Sequence, residues 1–125
     1  MSEKSKIRVL RFFVLVGVAA LANVALFLIG QASGATYDMA NQPQVNVGLV
    51  VGATVAPLTL GLGLAWLTSK FLPKAFSVLK WGGFIVALAS APGAWVMSGD
   101  AATGIALGLM HLIAGFAWFF GLRSK

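Results

Sequence analysis

Four apolar stretches, each long enough to cross a bilayer as a helix, constrain this chain more than any other feature. A hydrocarbon core of ~30 Å needs about 20 helical residues at a rise of ~1.5 Å each. Irregular backbone or an open sheet edge in lipid would leave N–H and C=O groups unpaired, so helices are the physical choice. We therefore predict an all-α integral membrane four-helix bundle, with residues 1–125 forming one four-span domain. The predicted spans are approximately Phe12–Gly30, Val47–Ser69, Ala75–Met97 and Ala102–Leu122.

The composition leads to the same environment. Hydrophobic residues make up 59% of the chain, charged residues only 10%, and the mean hydropathy is +0.92. A chain of 125 residues has too little interior to hide that much apolar side chain from water. Most of this surface must face membrane lipids or other membrane protein chains, in a hetero- or homo-oligomer, and these are the partners that we expect.

The basic residues predict an orientation. All nine lie before the first span, between the second and third spans or in the first two turns of the third, or after the fourth, and the other two connections contain none. Basic segments stay on the cytoplasmic side, so we predict a multi-pass plasma-membrane protein with both termini in the cytoplasm (N-in/C-in). Topology thereby accounts for the net charge of +6 without a nucleic acid partner, and we expect none. These residues are Lys4, Lys6, Arg8, Arg11, Lys70, Lys74, Lys80, Arg123 and Lys125.

Aromatic residues lie near the predicted span ends, as in the aromatic belts of membrane proteins. We interpret them mainly as lipid-contacting side chains. The outer connection, Gln31–Asn46, is polar and nearly uncharged, and we interpret it as a solvated hairpin connection rather than a binding loop. The inner aromatic residues are Phe12, Phe13, Trp66, Trp81, Trp118, Phe119 and Phe120, and the outer ones are Tyr37 and Trp95.

Small residues at a spacing of four predict close helix packing, because they let two backbones approach where hydrophobicity cannot drive association. Gly48 and Gly52 form one such pair in the second span, and Gly104 and Gly108 form another in the fourth. We expect contacts inside the four-helix bundle, with a homodimer face as the alternative.

Each span carries one polar residue at a similar depth, about 10–14 Å from its outer end at ~1.5 Å per residue. Pro57 and Pro92 lie close to this layer and deprive the carbonyls of Ala53 and Leu88 of their helical donors. One interpretation is structural: Asn23 and His111 satisfy those carbonyls and hold the helices together. The other is functional: the layer lines a small polar cavity in which His111 carries a proton or contacts a ligand. The four residues of the layer are Asn23, Thr54, Ser90 and His111.

Several chemistries are disfavoured. The chain has no cysteine and a single histidine, so one chain offers at most one good metal or haem ligand, and we expect no metal site and no cofactor. Ser90 and His111 could supply the nucleophile and base of an intramembrane hydrolase, but an unactivated serine beside a proline is more often structural. We therefore expect a protein that is not an enzyme.

The segment from Gly48 to Leu122 carries a resemblance. It combines a glycine-rich second span, a basic inner loop, Ser90-Ala91-Pro92 in the third span and Ala-Leu-Gly-Leu-Met-His-Leu over Ala106–Leu112. This pattern resembles a family of small four-span membrane proteins, mainly from high-GC Gram-positive bacteria, catalogued as a domain of unknown function. The resemblance implies four spans and a bacterial plasma membrane, and it implies no activity.

Three functional hypotheses remain. The first is a non-enzymatic bundle that serves as an accessory or structural subunit of a larger membrane complex, or as a homo-oligomer. The second is a small-molecule or lipid binder or transporter that uses the polar layer around His111. The third is an intramembrane hydrolase, which requires a reactive Ser90.

Overall fold

The computed structural model describes residues 3–38 and 45–122, and this part of the chain forms four α-helices. Each helix is long and apolar enough to cross a membrane. The predicted all-α fold of four such helices is confirmed. The middle of the predicted connection Gln31–Asn46, and the basic residues Arg123 and Lys125, lie outside the described residues. The helices are α1 (Glu3–Ala32), α2 (Val47–Ser69), α3 (Ala75–Met97) and α4 (Ala101–Leu122).

Side-chain caps fix where two of the helices begin. The Oδ1 atom of Asn46 accepts a hydrogen bond of 2.9 Å from the backbone N–H of Leu49, which satisfies a free donor in the first turn of α2. Asp100 does the same for α4, where Oδ2 accepts from the N–H of Thr103 at 2.9 Å. Both helices therefore start at a residue type that favours the cap position.

The helices are arranged in the order α2, α1, α4, α3 around the bundle. Helix α4 packs along both α1 and α3, and α1 also packs against α2. Helices α2 and α3 follow one another in the chain but contact each other much less. The bundle therefore has one loosely packed side, which we call the α2–α3 seam.

The packing of α3 on α4 is close because small residues face each other across it. A Cβ added at Gly115 would lie 2.8 Å from the Cβ of Ala87, and one at Gly104 would lie 2.8 Å from the ring of Trp95. Gly108 faces the backbone of Ala91. Dispersion contacts between backbones are the main attraction available to such a pair in lipid.

The glycine pair of α2 is placed differently. A Cβ at Gly52 would meet nothing within 4 Å, and one at Gly48 would approach only Asn46 of its own N-terminal cap. Among the described residues, Gly48 and Gly52 face no other helix closely, in contrast to the bundle contact that we expected for them. Gly104 and Gly108 do lie at a helix–helix contact, on the α3 side of α4.

Two apolar clusters fill the bundle, and a polar layer separates them. The cluster nearer the N-terminal end of α1, which we call the inner cluster, includes Phe12, Val16 and Trp118. The outer cluster, nearer the C-terminal end of α1, includes Phe27 and Met110. Helix α1 reaches both because its buried positions recur every three or four residues, which keeps them on one face. Its buried face consists of Phe12, Val16, Ala19, Asn23, Phe27 and Gly30.

Trp118 is a core residue, in contrast to the lipid-facing position that we expected for it. Its side chain is 9% exposed and lies against Gly61 of α2 and Gly83 of α3. The indole Nε1–H donates to the carbonyl of Leu79 at 2.8 Å, which satisfies the polar group of a buried tryptophan. Trp118 therefore stands between the inner halves of α2 and α3 and fills the space where they would otherwise meet.

The other aromatic residues of the predicted belts divide between core and surface. Phe12 is fully buried and Tyr37 is 2% exposed, so the expectation of lipid contact is wrong for both side chains. Trp66, Trp81 and Trp95 are each about half exposed, together with Phe13 and Phe120.

Basic side chains with resolved contacts lie at one end of the bundle. The Arg11 guanidinium donates to the carbonyl of Gly121 at 3.4 Å, and the Arg8 guanidinium lies over the ring of Phe76 at 4.9 Å. The Lys70 ammonium lies 3.9 Å from the ring centroid of Trp66. The start of α1, the end of α2, the start of α3 and the end of α4 therefore meet at this basic end.

Candidate functional site

A short chain of hydrogen bonds joins α1 to α2 in the polar layer. The Asn23 side-chain N–H donates to the Thr54 hydroxyl at 2.9 Å, and that hydroxyl donates to the carbonyl of Val50 at 2.8 Å. Because the one hydroxyl hydrogen of Thr54 is used by Val50, its oxygen can only accept from Asn23. In this network the amide has Nδ2 toward Thr54 and Oδ1 away from it.

The Oδ1 atom of Asn23 has no partner. The side chain is 2% exposed, and among the described residues no donor reaches that oxygen. A buried carbonyl without a hydrogen bond costs about 1–3 kcal/mol relative to one that is satisfied. Such groups are rare in native proteins, and a water, an ion or a bound molecule commonly accounts for them.

His111 presents a second unpaired acceptor. Its Nδ1 lies 2.7 Å from the carbonyl oxygen of Leu107, one turn earlier in α4. A carbonyl cannot donate, so Nδ1 carries the hydrogen. In the neutral ring, Nε2 then bears the lone pair, and it makes no hydrogen bond to the described part of the protein.

The backbone of α2 adds a third acceptor. Pro57 lies inside α2 and has no N–H, so the carbonyl of Ala53 lacks its normal helical donor. We expected Asn23 and His111 to satisfy the carbonyls freed by the two prolines. Their hydrogen bonds go instead to Thr54 and to Leu107.

These groups line two adjacent cavities. The outer one has a volume of about 170 Å³ and lies between α1, α2 and α4. The inner one, of about 430 Å³, lies at the α2–α3 seam and ends at Trp118. His111, Thr54, Ala53 and Ala114 belong to the walls of both. The outer cavity also contains Asn23, and its remaining wall is apolar.

The structure thus brings three of the four polar-layer residues together. Asn23, Thr54 and His111 line the outer cavity, whereas Ser90 does not line either cavity. The Ser90 hydroxyl donates to the carbonyl of Ala87 in its own helix at 2.9 Å, and no hydrogen bond joins it to His111 within the described ranges. Pro92 lies inside α3 and lines neither cavity, whereas Pro57 lies in the wall of the inner one.

A family model covers residues 3–125, nearly the whole chain. The chain belongs to DUF6069, a family of unknown function. No curated protein matches this DUF6069 member, and no solved structure does. Residues 3–38 and 45–122 contain no group of three or more histidine, cysteine or acidic residues that could hold a metal ion.

A polar cluster at the outer end holds the two outer connections together, and the sequence analysis did not identify it. The backbone N–H of Tyr37 donates to the Thr103 hydroxyl at 2.9 Å, and that hydroxyl donates to Asp100 at 2.8 Å. The Thr36 hydroxyl donates to the same carboxylate at 2.7 Å. Tyr37 has a positive φ of 58° and stacks on Phe27, with 4.4 Å between ring centroids. We call this set of residues, Thr36, Tyr37, Asp100 and Thr103, the outer latch.

The latch changes the titration of two of its members. The hydroxyl of Thr36, together with the N–H and hydroxyl of Thr103, lowers the pKa of Asp100 from 3.8 to about 2. Burial raises the pKa of Tyr37, and the negative charge of Asp100 adds to this effect. A sequence signal for part of the latch exists, because aspartate directly before an apolar helical stretch is a preferred N-cap residue.

Proposed function

We propose that this chain is a non-enzymatic multi-pass protein of a bacterial plasma membrane, with both termini on the cytoplasmic side. Four helices of membrane-spanning length support the multi-pass placement. The orientation is supported by the basic end formed by Arg8, Arg11 and Lys70, with Asp38 and Asp100 at the opposite end. The bacterial assignment rests on the family pattern of its second to fourth helices.

We further propose that the protein binds a small, mostly apolar molecule in the cavities that meet at His111. The observation that carries this proposal is the buried, unpartnered Oδ1 atom of Asn23 in the wall of the outer cavity. A bound molecule would satisfy that oxygen and fill apolar space that otherwise forfeits dispersion contacts. The sparse contact between α2 and α3 offers a path from the acyl-chain region into the inner cavity.

Native mass spectrometry of the protein released directly from membranes tests this proposal. The unaltered chain is expected to carry a bound small molecule, and Asn23→Leu, which replaces both polar atoms of the amide with methyl groups, is expected to lose it. Ser90→Ala is the matched control, because it also removes a polar group near the layer but does not border either cavity. Loss of the adduct in both variants, or in neither, contradicts the proposal.

A second candidate is assembly with other membrane chains, as an accessory subunit or a homo-oligomer. The observation that favours it is the exposed pair Gly48 and Gly52, which offers a flat helix surface with no partner inside the bundle. Because the chain has no cysteine, a Gly52→Cys variant carries a single thiol for cross-linking. The control is Gly17→Cys on α1, where an added Cβ likewise meets nothing within 4 Å. A cross-linked product for Gly52→Cys alone supports this candidate, and a solitary monomer in mild detergent contradicts it.

A further inference from the structure

We infer that the ligand of this site is a hydrogen-bond donor: a neutral, largely apolar molecule with a hydroxyl or N–H group that binds beside Asn23 and His111. This inference rests on the proposed binding function and names the chemical class of the ligand. It follows from which polar atoms of the wall are already paired and which are not.

The paired atoms of the wall are mainly donors. The Asn23 amide nitrogen is bound to Thr54, and the hydrogen of Thr54 is bound to the carbonyl of Val50. The Nδ1 hydrogen of His111 is bound to the carbonyl of Leu107. Each of these hydrogens is therefore held by the protein itself, and the second amide hydrogen of Asn23 is a donor without an acceptor among the described residues.

Apart from that one hydrogen, the groups left over are acceptors. They are the Oδ1 atom of Asn23, the Nε2 atom of His111 and the carbonyl oxygen of Ala53, which Pro57 deprives of its helical donor. A ligand that only accepts, such as a ketone or an ether, could pair with the second amide hydrogen of Asn23 but would leave all three acceptors unpaired. A ligand with a hydroxyl or N–H can satisfy one or two of them, which is why the wall selects a donor.

The absence of balancing charges in the described walls excludes anionic ligands. Among the residues that the structure describes, no lysine, arginine, aspartate or glutamate lines either cavity, and the basic side chains with resolved contacts lie at the basic end of the bundle. A phosphate or carboxylate would lose its hydration there without a cation to balance it, which costs far more than a neutral group. The ligand group in the outer cavity is therefore neutral.

The volumes of the two cavities limit the size of the ligand. A cavity of about 150 Å³ accommodates a benzene-sized molecule, and the outer cavity is about 170 Å³. The inner cavity adds about 430 Å³ of mainly apolar space that shares the His111 wall. The donor group and a ring-sized portion fit the outer cavity, and a longer apolar portion fits the inner one.

The single histidine of the chain provides the readout. Protein labelled with ¹⁵N only at histidine gives one pair of ring signals, and the Nε2 signal moves when that atom accepts a hydrogen bond. We would titrate detergent-solubilised protein with phenol and, separately, with toluene. The two probes have nearly the same shape, and only phenol can donate.

The expected result is binding of phenol at least tenfold tighter than toluene, with a shift of the Nε2 signal for phenol alone. Asn23→Leu is expected to reduce this preference, and Ser90→Ala is expected to retain it. If Asn23→Leu does not fold, the phenol and toluene titrations of the unaltered protein still test the donor inference. Equal binding of both probes, or a ring protonated at both nitrogens in the free protein, overturns the donor inference and leaves the proposed binding site intact. Binding of neither probe overturns both.

Discussion

The two sides of α3 show how differently helices of similar composition can pack. On one side, α3 lies close to α4, with Ala87 against Gly115 and Ala91 against Gly108. On the other side, α3 and α2 contact each other little, and a cavity of about 430 Å³ lies between them. Both α2 and α3 are rich in small residues, so the number of glycines does not decide which helices pack closely.

The difference comes from the residue opposite the glycines. Gly115 faces an alanine, and the two backbones come together. Gly61 and Gly83 face Trp118, whose indole fills the space that their missing side chains leave. Glycine thus produces close packing in the first case, and in the second it makes room for a ring that keeps two helices apart. The open seam is a built feature of the inner half of the bundle.

Trp118→Ala is expected to give the largest effect, because it removes the ring that occupies the seam. Replacement of a buried tryptophan by alanine costs about 3–5 kcal/mol in the free energy of unfolding, and we expect the lower end because lipid can enter the seam. Unfolding by SDS titration in mixed micelles measures it. Trp66→Ala, at a half-exposed tryptophan of α2, is the control and should change stability by much less. Equal losses for the two variants would show that Trp118 does not support the seam.

Gly83→Ala tests the close approach of α3 to the same ring. The new Cβ would overlap the Nε1 atom of Trp118, which must then shift and weaken its hydrogen bond to Leu79. Overpacking of this kind costs about 1–3 kcal/mol. At the neighbouring Gly82 an added Cβ meets nothing within 4 Å, so Gly82→Ala should be neutral or slightly stabilising. The same unfolding assay would refute the proposed contact if the two variants behaved alike.

Thr103→Val breaks the outer latch and tests how much the latch stabilises the outer end of the bundle, where α1 packs against α4. It removes the acceptor for the Tyr37 N–H and the donor to Asp100, while it conserves shape. We expect a loss of about 1–3 kcal/mol, since the Tyr37 N–H is left buried without a partner. The control is Thr59→Val, because the buried Thr59 hydroxyl has no partner in the described structure and its removal should cost nothing. If Thr103→Val were as stable as the unaltered protein, the outer latch would not contribute to the free energy of unfolding.

The pH dependence of the latch is the smallest expected effect, because the Asp100 carboxylate is open to solvent. Its pKa is about 2 in the folded chain, below the ordinary value of 3.8, owing first to the Thr36 hydroxyl and then to Thr103. A lowered folded pKa means that the stabilisation is complete above pH 3.8 and is lost as the pH falls toward 2. In Asp100→Asn this loss should be absent. Melting temperatures between pH 2 and 5 would measure it, and parallel curves for both proteins would contradict the assignment.

The sequence predicted four apolar helices, although α1 begins at Glu3, well before the predicted first span at Phe12. The polar and basic segments around Asn46 and Lys70 bound α2 on either side, and α2 begins and ends where the apolar stretch does. Three residues of the polar layer were also identified, since a polar side chain in an apolar helix is conspicuous. Their common cavity follows from their similar depth.

The packing could not be predicted in the same way. Helices that are apolar on all sides carry no stripe to indicate which face is buried, so the exposed face of Gly48 and Gly52 resembled a contact face. The important glycines, Gly61 and Gly83, lie in different helices, and their relation through Trp118 exists only after folding. Ser90 was grouped with His111 by depth alone, whereas its direction around α3 leads it away from the cavities.

The length of α1 has a mechanical consequence. Its 30 residues span about 45 Å, which exceeds the ~30 Å hydrocarbon core of a bilayer, so in the proposed membrane placement its first turns would extend beyond the acyl chains. A continuous helix transmits rotation along its axis, and Asn23 lies on the same helix as this extension. A rotation of α1 about its axis at Asn23 would therefore turn the N-terminal residues of the same helix through the same angle, well beyond the bundle core.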